Sequence, residues 1–140
     1  MTVAMGLAAW VGLCTAVVAA SSYPYISWQD EFDGTAIDPG RWTHDIGTGS
    51  QYGLDGWGNN ELQYYTDRTQ NSFVANGMLT ISAQAESYGG KSYTSARLKT
   101  QGLFSQMGGR FEMRASLPTG QGFWPAFWML GSDFLDIGWP

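Results

Sequence analysis

Short segments in which apolar and polar residues alternate recur in the second half of the chain. The segments are Met78–Ala85, Ser92–Thr100, Gly109–Leu117 and Phe123–Leu130. Alternation with a period of two places successive side chains on opposite faces of a β-strand. Asn76-Gly77, directly before the first segment, is a strong hairpin signal. The sequence therefore predicts several short strands joined by tight turns.

The segment Phe123–Leu130 is apolar on both faces, so we expect both faces to be covered. Pro125 lies inside it and removes a backbone donor, which indicates an edge, a bulge or a bend. Residues 23–66 show no regular period and are typical of loops that cross a sheet. Asp133 and Asp136 follow the last segment and are interpreted as part of a loop.

The glycine content favours β structure over a helical bundle. The chain has 19 glycines, and each glycine inside a helix costs about 1 kcal/mol. Antiparallel strands with closely spaced turns are typical of a sandwich or jelly roll. Such domains often need about 200–250 residues. We therefore expect residues 21–140 to form one all-β domain, or the N-terminal portion of one, with its sandwich incomplete.

The charge balance argues against a nucleic-acid-binding protein. Seven Lys and Arg stand against twelve Asp and Glu, a formal net charge of −5. A protein that binds phosphates or an anionic polysaccharide should carry a basic face. His44 is the single histidine, so a zinc site is not expected and a structural role is predicted. A neutral partner fits this composition best.

The first 20 residues resemble an export signal. They contain no charged side chain, and Val18-Ala19-Ala20 offers the small residues that signal peptidase requires. We expect cleavage after Ala20 and secretion of the mature protein. Because no Lys or Arg lies near Met1, an uncleaved membrane anchor stays open as the alternative. Cleavage would remove Cys14, the only cysteine, so the mature protein would have no disulfide.

Several side chains suit the recognition of a neutral sugar. Trp124 and Trp128 would lie about 13 Å apart on one face of a strand, a spacing that suits successive pyranose rings. Arg97 lies on a strand and could bind sugar hydroxyls or orient a carboxylate. Each has a plainer interpretation, which is core packing for the tryptophans and a surface position beside Lys99 for the arginine. The residues alone do not decide between them.

Two loop segments have open alternatives of the same kind. Gly56–Thr66 is rich in amides and aromatic rings, which suits sugar hydroxyls but also fits an asparagine-rich turn. Trp28–Gly34 contains three carboxylates in four residues, which could bind Ca²⁺. Its alternative is a set of solvated acidic residues around two core aromatic residues.

Taken in order, the segments resemble glycoside hydrolase family 16, in its laminarinase (endo-β-1,3-glucanase) branch. The segments that match are Trp28–Gly34, Gly56–Thr66, Asn76–Ser82, Thr94–Thr100, Gly109–Pro118 and Gly120–Leu130. The resemblance implies a concanavalin-like β-jelly roll of two antiparallel sheets, with a substrate cleft across the concave sheet. It also implies a monomer that acts on neutral β-1,3(4)-glucans without a cofactor for catalysis.

The same resemblance assigns roles to individual residues. Asn60 and Arg97 would contact glucose, Trp128 would form an aromatic wall with Trp124 on the same face, and Trp139 would precede the catalytic strand. Glu31 and the carbonyl of Gly77 would belong to a structural Ca²⁺ site completed by residues outside this sequence.

Catalysis in the family implies a retaining mechanism with two carboxylates about 5–5.5 Å apart. The family places them in an E-x-D-x-x-E or E-x-D-x-E run, and no such run occurs in this sequence. We therefore expect the catalytic carboxylates to lie beyond Pro140 and the 140-residue chain alone to be inactive. The alternatives are a β-glucan-binding protein without catalysis and an inactive truncated fragment.

Overall fold

A computed structural model of the protein describes residues 25–137. The predicted export signal, residues 1–20, and the predicted sugar contact Trp139 lie outside the described residues. Between residues 25 and 137, no helix is both long and apolar enough to cross a membrane.

The described part is built of short strands with a single helical turn near its end. The strands are β1 (Thr43–Asp45), β2 (Gln63–Tyr65), β3 (Ser72–Ala75), β4 (Met78–Ile81), β5 (Gln84–Tyr88), β6 (Lys91–Ser95) and β7 (Arg97–Lys99), and the helix is α1 (Phe134–Ile137). Two 3₁₀ turns, Ser50–Tyr52 and Asp55–Gly58, lie between β1 and β2. The prediction of loops over residues 23–66 is confirmed apart from the three-residue strands β1 and β2.

The strands form three small sheets. β1 pairs with β7, β3 pairs with β4, and β2, β6 and β5 form a three-stranded sheet in that order. All these pairs are antiparallel except β2 with β6, which is parallel. The all-β prediction is confirmed, whereas the expectation of purely antiparallel sheets is wrong for this one pair.

Two glycine turns set the hairpin registers. Asn76 and Gly77 have φ values of 54° and 70° and connect β3 to β4, with Ala75 opposite Met78. Gly89 and Gly90 connect β5 to β6 in the same way, with φ values of 56° and 79°. Positive φ at both central positions is the two-residue hairpin turn that matches strand twist. The turn predicted from Asn76-Gly77 is therefore present.

Two predicted strands are divided. Met78–Ala85 splits into β4 and the start of β5, because the pairing with β3 ends at Ser82, whose amide donates to the Asn71 carbonyl at 2.8 Å, and Gln84 then pairs with Thr94 of β6. Ser92–Thr100 splits at the buried Ala96 into β6 and β7. The alternation indicated strand content correctly, but it did not show that the chain changes sheet within each segment.

Two further predictions are wrong for the described residues. Gly109–Leu117 and Phe123–Leu130 form no strand, and their apolar side chains are exposed apart from the half-buried Leu130. A strand needs a neighbouring backbone that supplies hydrogen bonds, and no described residue supplies it. The predicted loop at Asp133–Asp136 is also wrong, since Asp133 starts the turn that leads into α1.

The interior is largely polar. Buried apolar side chains are Trp57, Val74 and Ala96, whereas the buried polar ones are Asp45, Thr66, Asn71, Ser72 and Thr94. Asn71 joins the sheets, because its amide donates to Thr94 Oγ1 at 2.9 Å and to the Ser82 carbonyl at 3.1 Å. Buried polar groups are stable only when they are hydrogen-bonded, so this network fixes β3 against β6.

An ion pair closes this network on one side. Arg68 uses both Nη groups on Glu86, and its Nη2 also donates to Asn71 Oδ1 at 3.1 Å. The Arg68 guanidinium carbon lies 4.3 Å from the centre of the Tyr88 ring. His44 Nε2 is 2.8 Å from Ser72 Oγ, in agreement with the predicted structural role of His44. Burial lowers the pKa of His44, and the nearby Asp67 opposes this.

Candidate functional site

A buried carboxylate and two cations meet where β1 pairs with β7. The register places Asp45 directly opposite Arg97 and Thr43 opposite Lys99. Arg97 Nε donates to Asp45 Oδ2 at 2.8 Å, and Lys99 Nζ lies 2.7 Å from Asp45 Oδ1. The Asp45 side chain is only 8% exposed. Each oxygen of this carboxylate therefore holds one cation.

Three aromatic rings surround the Arg97 guanidinium. Its carbon lies 3.7 Å from the centre of the Trp57 ring, 5.2 Å from that of Tyr65 and 6.0 Å from that of Trp128. Arginine commonly stacks on aromatic faces within about 6 Å. We call Asp45, Lys99, Arg97 and these three aromatic residues the Arg97 cluster.

The turn before β2 delivers Trp57 to the cluster. Gly56 and Trp57 have φ values of 55° and 54°, so the chain turns in the left-handed region at both positions. The Trp57 indole donates to the Gly47 carbonyl at 3.3 Å. A Cβ on Gly49 would collide with the Leu54 carbonyl oxygen, so only glycine allows this packing. Gly49 and Gly56 therefore place the Trp57 ring.

Glu61 organises the other side of the turn. It accepts hydrogen bonds from Gln63 Nε2 at 2.5 Å, from Tyr65 OH at 2.9 Å and from Asn59 Nδ2 at 3.2 Å. Burial, and then the Glu61 carboxylate, raise the pKa of Tyr65 well above its usual value. Tyr65 therefore stays neutral at any physiological pH and donates its proton to Glu61. This bond holds the Tyr65 ring beside Arg97.

The predicted sugar-binding residues have different surroundings. Arg97 and Trp128 are neighbours in the Arg97 cluster. Asn60 is exposed at the end of the turn, with a φ of 57°, next to Glu61. Trp124 is 74% exposed, and no ring contact joins it to the cluster in the described part of the chain. Because this segment is not a strand, the prediction that Trp124 and Trp128 lie on one strand face is wrong.

The predicted calcium ligands are not joined by further acidic ligands in the described part of the chain. Glu31 and Gly77 are both exposed, and together they offer one carboxylate and one carbonyl. Ca²⁺ requires six to eight oxygen ligands. Within residues 25–137, no group of three or more His, Cys, Asp or Glu side chains could hold a metal ion. The described residues alone therefore do not fit a Ca²⁺ ion.

Another carboxylate of the acidic segment has a structural role. Asp30 accepts hydrogen bonds from the Trp42 indole at 2.8 Å and from the Phe32 amide at 2.9 Å. The Trp28 ring centre lies 5.2 Å from that of Trp42 and 5.7 Å from that of Phe104. These contacts favour the alternative in which acidic residues surround packed aromatic residues.

Sequence reasoning did not single out five members of this site and its support: Asp45, Trp57, Glu61, Tyr65 and Lys99. A usable signal was present for Lys99. Arg97 and Lys99 are two residues apart on a strand, so they share a face and need an anion opposite. Asp45 supplies that anion from a segment that had no recognisable pattern.

Most of the known proteins and solved structures that are similar to this chain are β-glucanases or laminarinases. No protein-family model matches the sequence. The β-glucanase of Rhodothermus marinus is 52% identical over 105 residues, which are 74% of this chain and 35% of the relative. The crystal structure of the laminarinase from Flavobacterium sp. UMI-01 superposes with a TM-score of 0.69 at 38% identity, over 83% of this chain and 47% of that chain.

A further similar structure identifies the enzyme family of these relatives. It is SCLam, a non-specific endo-β-1,3(4)-glucanase from family GH16, with a TM-score of 0.53 and 39% identity over 61% of this chain and 35% of that chain. The chain is homologous to the N-terminal part of laminarinases of glycoside hydrolase family 16. The fold of these laminarinases is a jelly roll, as the sequence predicted. The chain spans less than half of the length of each of these three relatives.

Proposed function

We propose that this chain is the N-terminal part of a retaining endo-β-1,3(4)-glucanase and that the Arg97 cluster binds glucose units of the substrate. The observation that supports this most directly is the environment of Arg97, which has a flat aromatic ring on one side and Nη groups that make no hydrogen bond to any described residue. The homology to laminarinases supports the same reaction.

The chemistry of the cluster suits a neutral sugar. Pyranose rings present flat C–H faces that pack on aromatic rings, and their hydroxyls accept hydrogen bonds from a guanidinium. Trp128 is 47% exposed, so its ring is accessible. Asp45 offsets part of the positive charge of Arg97 and Lys99, and the chain as a whole has a formal net charge of −5, which does not favour an anionic polymer. A mutant of SCLam that was co-crystallised with 1,3-β-D-cellotriosyl-glucose presents a 1,3-β-D-cellobiosyl-glucose at its active site, which supports a β-glucan as the ligand.

The cluster binds substrate in this proposal but does not cleave it. Both Asp45 oxygens hold cations and Glu61 accepts three hydrogen bonds, so neither carboxylate is placed to attack a sugar. A retaining glycosidase needs one carboxylate as nucleophile and another as acid and base. We propose that these two come from the part of the enzyme that corresponds to the remainder of the relatives.

A fusion protein tests the proposal. The full chain is joined to the part of the R. marinus β-glucanase that lies C-terminal to the matched region, and we call the product the completed enzyme. We expect it to release reducing ends from laminarin. We expect Arg97→Ala to raise KM by about tenfold or more, because the variant loses a charged hydrogen-bond donor.

A matched arginine serves as the control. Arg41 forms an exposed ion pair with Asp38 at 3.3 Å, away from the Arg97 cluster. Arg41→Ala should leave KM and kcat unchanged. A completed enzyme that folds but does not cleave laminarin would overturn the proposed hydrolysis. Binding of laminarin without cleavage would favour a β-glucan-binding protein instead.

We also propose that the protein is secreted after cleavage behind Ala20. The support is the uncharged, mainly apolar stretch that ends in small residues. N-terminal sequencing of the protein from the culture medium should start at Ser21. Recovery of the uncleaved chain from the membrane fraction would show an anchor instead.

A further inference from the structure

Arg97 and Arg68 pair with their carboxylates in different ways. Arg68 directs both terminal nitrogens at Glu86, the two-pronged arrangement that arginine favours with carboxylates. Arg97 uses only Nε on Asp45, and neither Nη atom donates a hydrogen bond to a described residue. The first arrangement occupies the guanidinium, whereas the second leaves its terminal nitrogens for a ligand.

Lys99 explains why Asp45 does not take the two-pronged arrangement. Its Nζ lies 2.7 Å from Oδ1, the carboxylate oxygen that Arg97 does not use. An oxygen held by a second cation cannot also accept from an Nη group in the same direction. The carboxylate is nine-tenths buried, and a buried carboxylate is retained only when it is paired.

The Trp57 ring restricts the orientation of the Arg97 guanidinium. At 3.7 Å from the ring centre, the guanidinium carbon is in direct contact with the aromatic face. Nε is held by Asp45 at 2.8 Å, so the group is held through one edge and one face. Its free edge carries the two Nη groups.

We propose that Asp45 is a positioning residue for substrate binding: together with Lys99 it holds Arg97 through Nε alone, so that both Nη groups are free for sugar hydroxyls. This inference rests on the proposed function, because it assigns the support of the same sugar-binding arginine. Asp45 acts through Arg97 and touches no substrate.

Kinetics of the completed enzyme test this role. Asp45→Asn keeps the shape of the side chain and removes its charge, so the ion pairs with Arg97 and Lys99 are lost and Arg97 is held less firmly. We expect KM for laminarin to rise about tenfold or more while kcat changes little, as when supporting partners of a binding group are lost. Asp38→Asn, which removes a carboxylate from the exposed Arg41, is the matched control and should change neither.

A double-mutant cycle separates positioning from general stability. If Lys99 acts only through Asp45, then Lys99→Met raises KM, but it adds nothing to Asp45→Asn. Additive effects of the two changes would overturn the proposal. So would an unchanged KM in a folded Asp45→Asn variant.

NMR of the Arg97 side chain tests the contact with Asp45 directly. This measurement does not depend on enzyme activity. In the completed enzyme with ¹⁵N-arginine, the Arg97 Nε–H should exchange slowly with water, and Asp45→Asn should speed this exchange. Fast exchange in the parent would show that Asp45 does not hold Nε. If the parent has the slow signal but never cleaves laminarin, the proposed function fails and the Asp45–Arg97 contact stands.

Discussion

The Arg97 guanidinium carbon lies 3.7 Å from the centre of the Trp57 ring, and this contact joins β7 to the turn before β2. The two residues are distant in sequence, and each is fixed by its own local structure. Arg97 lies opposite Asp45 in a strand pair, and Trp57 sits on a left-handed turn. Their contact brings two locally folded segments together, and the two segments form the surface that we propose binds the glucan.

Loss of the Trp57 ring should affect stability and binding together. Trp57→Ala removes one of the few buried apolar side chains. We expect a loss of about 3–5 kcal/mol in the free energy of unfolding, the usual cost of such a truncation. Urea unfolding of the completed enzyme measures this. Tyr25→Ala, at an exposed ring, should have no effect, and an equal loss in both variants would contradict the placement of Trp57.

Trp128 should contribute to glucan affinity. Its ring is half exposed and 6.0 Å from the Arg97 guanidinium, so Trp128→Ala removes an aromatic face from the cluster. We expect the Kd for laminarin to rise roughly 3- to 10-fold, the factor that corresponds to an aromatic contact. Isothermal titration of the completed enzyme measures it, with Met107→Ala as the exposed control. Unchanged affinity would mean that Trp128 does not contact the glucan.

Acid should weaken the fold through Glu86. The hydrogen bond from Arg68, and then that from Thr94, lower the pKa of Glu86 below its unfolded value. A carboxylate with a lowered folded pKa stabilises the fold above its unfolded pKa, about 4.3, and loses this contribution as pH falls through the folded value. The free energy of unfolding should therefore decrease as the pH is lowered through this range. In the Glu86→Gln variant, the free energy of unfolding should depend less on pH. An identical slope in the variant would exclude Glu86 as the cause.

Neighbouring glycines offer a matched test of the β5–β6 turn. A Cβ at Gly89 would clash with the Tyr64 ring, whereas one at Gly90 meets no atom within 4 Å. Both residues have positive φ, so both alanine variants carry backbone strain of about 1–2 kcal/mol. We expect Gly89→Ala to destabilise the protein by clearly more than Gly90→Ala in thermal unfolding. Equal losses would show that Tyr64 moves aside.

The 140-residue chain by itself should not hydrolyse laminarin. Its sequence lacks the carboxylate run of the family, and the carboxylates beside Arg97 are engaged in ion pairs and hydrogen bonds. A reducing-end assay with the purified chain measures this. Reducing ends above a buffer blank, and absent from an Arg97→Ala sample, would contradict the expectation.

Local patterns were sufficient for the strands and turns that depend only on neighbouring residues. Asn76-Gly77 and the alternation after it predicted the β3–β4 hairpin because turn geometry and side-chain period are local. The same alternation failed over Gly109–Leu117, since pairing depends on a partner strand that no described residue provides. The sequence shows which face of a strand is apolar, but not what lies beside it.

Part of the candidate site could be predicted from the sequence. Arg97 and Trp128 were selected by residue type and by the family resemblance, and they are neighbours in the structure. Asp45 was missed because it is 52 residues from its partner in sequence, and its segment shows no period. Only the register of β1 on β7 brings it opposite Arg97.

Titration of the completed enzyme with laminaritetraose tests the central claim, that the Arg97 cluster binds a neutral β-glucan. We expect measurable binding that Arg97→Ala weakens by about tenfold or more, while Arg41→Ala leaves it unchanged. Equal affinity of the parent and Arg97→Ala, with both folded, would contradict it.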